Sequence, residues 1–248
     1  MLTEQTVDKL RTLRLRTLAD AYLAQQRDPT VASLNFDERL SVLVDAEALA
    51  RENRTLARHL KEAKLRMSHA CLEDLDYSGR KLDRALMRQL ATGRWIAEHQ
   101  NLLITGSTGV GKTYLACAFG QQACRQRHRV IYRRLPRLFP ELTLAHGDGT
   151  YPVVLARFAR ADVLILDDWG LIALTDRHRA DLLELLEDRD GTRSTIITSQ
   201  LPPDRWHDSI GDPTIADALL DRVIHRAQRL TLTGPSRRKP GAAGKEDA

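Results

Sequence analysis

The chain has 248 residues, 42% of them hydrophobic and 29% charged, with a formal net charge of +5. This is enough apolar content to pack one large domain or two small ones, and it excludes wholesale disorder. Three cysteines, Cys71, Cys117 and Cys124, form no C-x-x-C pair and suit a reducing compartment better than a disulfide scaffold.

The start, Met1-Leu-Thr-Glu-Gln, is too polar for a signal peptide, and no apolar run nears the ~18 residues that span a bilayer. A cytoplasmic protein without membrane association is expected. Leu15, Leu18, Ala19, Tyr22 and Leu23 recur with helical spacing until Asp28-Pro29. Phe36, Leu40, Leu43 and Val44 repeat it, with Asn35 and Glu38 spaced as a capping box. A third helix is expected over 53–67, with Leu56, Leu60 and Ala63 on one side. It is basic: Arg51, Arg54, Arg58, Lys61, Lys64 and Arg66 face only Glu52 and Glu62. Such a helix is either a solvated surface or a contact for phosphates or a partner. The expected organisation is a helical domain over 1–75, a nucleotide-binding core over 76–234 and a basic tail over 235–248.

Gly106-Ser107-Thr108-Gly109-Val110-Gly111-Lys112-Thr113 fits G-x-x-x-x-G-K-[ST] at every defined position. Glycines let successive backbone N–H groups turn toward a phosphate. The apolar run 101–105 precedes the loop as a strand, and a helical pattern over 114–127 follows it. The helix N-terminus adds partial positive charge. ATP is therefore the expected ligand, with Lys112 on the β- and γ-phosphates and the Thr113 hydroxyl on Mg2+. Val130-Ile-Tyr132 reads as a second strand. Arg125, Arg127, Arg129, Arg133, Arg134 and Arg137 surround it with no acid between Arg125 and Arg137. Arg133, Arg134 and Arg137 are the expected contacts to double-stranded DNA, with an inter-subunit or solvated surface as the alternative.

Ala161-Asp-Val-Leu-Ile-Leu-Asp-Asp168 is an apolar strand ending in paired carboxylates, the acidic partner of a phosphate loop. Asp167 is expected to hold the metal and Asp168 to polarise the attacking water. A helix over 176–189, a strand over 194–199, a helix over 213–228 and a strand over 229–233 complete the pattern. Strands alternating with helices give an α/β, three-layer fold with a largely parallel sheet.

Four stretches together are more particular than the loop alone: 101–113, Leu164 to Gly170, Ser194 to Pro202 and Ile210 to Arg222. On them the chain resembles the IstB-like ATP-binding proteins, transposition helpers of insertion sequences within the AAA+ superfamily, in the clade of DnaC and DnaA. The resemblance covers nearly the whole chain. It implies a sensor role for Ser199, with Thr198 beside it, an arginine finger reaching a neighbour's ATP from Arg222, and a second sensor at Arg238. It also implies a reduced or absent helical lid, self-association on DNA with ATP, and a transposase partner. A DnaC-like helicase loader stands as the alternative. A small-molecule kinase would leave the arginine cluster and Leu219-Leu-Asp-Arg222 unexplained.

Overall fold

The computed structural model describes residues 2–77 and 82–236, so Arg238 and most of the tail expected from 235 lie outside the described residues. The chain divides into two compact units, 1–58 and 59–248. The division falls ahead of the boundary expected at 75.

The first unit holds α1 (Leu2–Thr12), α2 (Arg16–Arg27) and most of α3 (Phe36–Ala63). α3 is one helix of 28 residues where two were expected. Nothing between its two apolar stretches can stop it, because Arg51-Glu-Asn-Arg54 contains neither glycine nor proline. Asn35 and Glu38 close the reciprocal cap: the Glu38 N–H donates to Asn35 Oδ1 at 2.9 Å and the Asn35 N–H to Glu38 Oε2 at 2.8 Å. Buried Glu47 accepts from the Leu18 N–H, Arg51 and Arg54, so part of the basic helix satisfies an internal acid.

In the second unit α4 (Arg84–Ala91) and α5 (Arg94–Ala97) lead into β1 (Asn101–Gly106) and α6 (Lys112–Arg125). There follow β2 (Val130–Arg134), α7 (Leu135–Asp148), α8 (Tyr151–Ala159), β3 (Val163–Trp169) and α9 (Asp176–Glu187). β4 (Ser194–Ser199), α10 (Trp206–Ile210), α11 (Pro213–Ile224) and β5 (Ala227–Leu232) end the unit. No helix follows β5 among the described residues. No described helix is long and apolar enough to cross a membrane.

The five strands are all parallel in the order β2-β3-β4-β1-β5. Strands covered on both faces lose the in-out alternation, and β4 is buried at every position. Alternation still decides which layer each residue meets. Leu103, Leu164, Leu166 and Ile197 join the core built with α7, α8, α9 and α11. Ile165 faces the other layer, where a Cβ on Gly120 of α6 would come 2.7 Å from Ile165 Cδ1. α6 lies this close to the sheet because position 120 has no side chain.

Arg189 closes the far end. It is 1% exposed and makes no ion pair among the described residues; its guanidinium donates to the carbonyls of Phe158, Ala159, Ala161 and Ser194 and to the Thr195 hydroxyl. Burial lowers its pKa to about 9, so it stays charged at neutral pH on the C-terminal carbonyls of α8.

Candidate nucleotide-binding site

β1, buried between β4 and β5, ends at Gly106 with φ 144°. A Cβ there would stand 2.2 Å from the Leu232 carbonyl oxygen, so the loop can leave the strand only from glycine. Gly109 and Gly111 also take positive φ, and Gly111 is the N-cap of α6. The loop therefore delivers backbone N–H groups at a helix start, the geometry that holds an anion. Lys112 Nζ donates to the carbonyls of Gly106 and Ser107 at 2.8 and 2.9 Å, which folds the ammonium over the loop.

The acids arrive on β3. In a regular strand neighbouring side chains point to opposite faces. The β3–β4 register shifts between Leu166 and Trp169, and Asp168 takes φ 66°. This bulge turns both carboxylates to the loop. Aspartate tolerates the left-handed region better than most residues, at a cost on the order of 1 kcal/mol.

Asp167 is fully buried and collects three hydroxyls. Thr113 Oγ1 lies 3.1 Å from both its oxygens, the Tyr132 hydroxyl donates at 2.5 Å, and Thr198 Oγ1 donates to Oδ1. Burial first, then the bond to Asp167, pushes the Tyr132 phenol well above its usual pKa, so it remains a donor. Thr198 also accepts from the Asp168 N–H at 3.2 Å, pinning the bulge to β4. Asp168 itself is held by Arg134, whose Nε lies 2.6 Å from Oδ2. That bond raises the Arg134 pKa further.

Thr108, Lys112, Thr113, Arg134, Asp168 and Gln200 line one cavity of about 530 Å³, and Asp167 lies buried behind Thr113. The volume suits a nucleotide. Thr113 and Asp167 offer the hard oxygen donors that magnesium takes, with phosphate and water able to complete its octahedron. The residues fit Mg-ATP.

Several expected site residues lie elsewhere. Ser199 is fully buried; its hydroxyl donates to the Trp169 carbonyl and accepts from the Leu201 N–H. It shapes the turn after β4, and the residue that reaches the loop is Gln200, whose Oε1 accepts from Thr108 Oγ1 at 2.7 Å. Arg222 on α11 is absent from the cavity lining and pairs with Glu187 at 2.9 Å. The arginines after β2 were expected to lack acidic neighbours, and this is corrected. Arg133 is 12% exposed and pairs with Glu141 of α7, over the Phe158 ring, while Arg134 takes Asp168. Of the three only Arg137 is exposed. Tyr132 was read as a strand residue only, and Gln200 was not singled out.

Residues 8–243 match the family described as IstB-like ATP binding protein. A protein of Sinorhizobium fredii described as an insertion sequence ATP-binding protein is 50% identical over 96% of this chain and 98% of its own length. The ATP-binding protein described for insertion sequence IS1162 of Pseudomonas fluorescens is 53% identical over 82% of this chain and 88% of its own. Among solved structures, DnaI superposes with a TM-score of 0.56 at 24% identity, over 66% of this chain and 92% of its own. The DnaC helicase loader gives 0.53 at 22% identity, over 66% and 97%. At these identities the likeness to DnaI and DnaC concerns the fold.

Proposed function

The chain belongs to the IstB-like ATP-binding proteins, and from that premise we propose that it is the ATP-hydrolysing, DNA-binding helper of an insertion sequence. In this reading it binds Mg-ATP, associates with further copies of itself on duplex DNA, and recruits or stimulates its cognate transposase. The observation that carries the reading is that Lys112, Thr113 and Asp168 line one cavity, with Thr113 Oγ1 bonded to the buried Asp167 behind it.

Loop amides and Lys112 bind the phosphates. Thr113 and Asp167 hold the metal, which neutralises phosphate charge. Asp168 orients the attacking water and takes its proton. Arg134 occupies Asp168 Oδ2, so it must release that oxygen for the carboxylate to engage the attacking water. Gln200, presented by the Ser199 turn, reads the phosphate end from β4. Arg222 serves a neighbour's ATP, a role supported by its place outside its own cavity. Arg238 acts as the second sensor; Ser236, two residues earlier, stands against Gly109.

DNA phosphates are met by Arg137 and by a hollow of about 450 Å³ along α8, walled by Arg129, Arg157 and Arg160. Its other lining residues, Pro152, Val153 and Ala156, include no aromatic for base stacking. Phosphate contact suits a helper that accepts many target sequences. Sedimentation on duplex DNA with ATP or ADP, followed by strand-transfer assays with the transposase, tests the reading. ATP-dependent assembly and stimulated transfer are expected. DNA binding indifferent to nucleotide, with an unaffected transposase, refutes it.

A further inference from the structure

Residues 64–77 leave α3 at Lys64, where φ is 52°, and cross the helix of the phosphate loop before α4 begins. The segment is fastened to α6 at several points. The Tyr114 hydroxyl donates to the Cys71 carbonyl at 3.3 Å, Arg125 pairs with Glu73 at 2.6 Å, and a Leu65 methyl lies against Gly120. Ala70 and Leu75 are buried. This strap is a built wall of the nucleotide cavity, to which it contributes Arg66 and Asp74 among others.

Arg66 is exposed into that cavity and has no ion pair among the described residues. The other cations of the cavity are engaged: Arg134 by Asp168, and Lys112 by loop carbonyls. Arg66 lines the same cavity as Lys112, Thr113 and Asp168. Between Lys112, Thr113 and the β3 acids, a phosphate-loop site holds the β- and γ-phosphates rather than the base.

We propose that Arg66 contacts the terminal phosphate of ATP, so that the strap distinguishes ATP from ADP. The proposal rests on the nucleotide reading above and adds a residue that lies outside both motifs. A guanidinium–phosphate contact made by ATP alone strengthens ATP binding selectively.

The test measures affinities of the full-length chain for fluorescent ATP and ADP analogues with magnesium, in wild type, Arg66→Ala, Arg66→Lys and Lys112→Ala. Arg66→Ala should weaken ATP by about tenfold or more and ADP by less than about twofold, the effect of one charge-assisted hydrogen bond. Arg66→Lys keeps the charge and should recover most of the difference. Equal losses for both nucleotides, or no loss, overturn the proposal. If wild type binds neither nucleotide, or Lys112→Ala binds both like wild type, the nucleotide reading itself fails and with it this inference.

Discussion

Replacing Asp168 by asparagine isolates the chemistry from the fold. The amide side chain retains an oxygen that can accept from Arg134 Nε, now 2.6 Å from Asp168 Oδ2, and the backbone N–H at this position still bonds Thr198. Asparagine also tolerates φ 66°, so the bulge loses no conformational ease. What disappears is the charge of a pair whose side chains are 34% and 18% exposed. Solvent screening limits that loss to about 1 kcal/mol of stability. Thr113 and Asp167 are untouched, so Mg-ATP affinity should stay within about threefold, less than the tenfold that about 1.4 kcal/mol represents. Hydrolysis should fall by about 10²- to 10⁴-fold, the worth of a general base. Phosphate release under single turnover, beside equilibrium binding of the same preparation, gives both numbers. Hydrolysis within about twofold of wild type, with binding intact, would mean that another group orients the water.

Arg222→Ala and Lys112→Ala should each be inactive yet regain ATPase activity when mixed, because mixed interfaces join an intact site to an intact finger worth on the order of 10³-fold; no recovery at any ratio counts against action in trans. Arg129→Ala, Arg137→Ala and Arg160→Ala combined should flatten the salt dependence of duplex binding by up to about three units of slope, equally on unrelated sequences. An unchanged slope moves the contact elsewhere. Arg189→Met removes the bonds of a buried guanidinium to four carbonyls and the Thr195 hydroxyl and should lower unfolding free energy by about 3 kcal/mol or more in a denaturant titration. His178 Nδ1 accepts from the Thr175 N–H at the start of α9, and burial against Phe139 lowers its pKa. A depressed histidine pKa means the neutral ring's stabilisation is present above the unfolded pKa of about 6.5 and fades as pH falls through the folded value. Melting curves from about pH 7 downward should show this loss, reduced in His178→Gln.

The phosphate loop and the acidic strand were legible because each is contiguous: the glycines, the lysine and the apolar run lie within a few residues of their roles. The parallel sheet followed from strands alternating with helices. The partners of the arginines were not legible. Arg133 meets Glu141 only because α7 turns back beside β2, and Arg134 meets Asp168 only because β2 and β3 pair in that register. Tyr132 and Thr198 sit inside apolar strands, where spacing carries no sign that they converge on a buried acid. The two aspartates were given separate roles at one site, which strand alternation would set on opposite faces, and only the bulge resolves the conflict. Arg66 belonged to a basic run whose charges all looked alike; the end of α3 at Ala63 is what separates it from the others.

The close approach of Gly106 to the Leu232 carbonyl bears on how the protein is made. Both neighbours of β1 come from the last quarter of the chain, β4 beginning at Ser194 and β5 at Ala227. At about 5 to 20 residues per second, roughly 6 to 23 seconds separate translation of the loop from that of β5. Until then the β5 edge of β1 is open, and long-range parallel pairing is slow to form. A nascent or truncated chain ending before Ala227 therefore carries the complete phosphate-loop sequence without the strand that shapes its first turn. The first turn of the loop takes its shape only once β5 has been made.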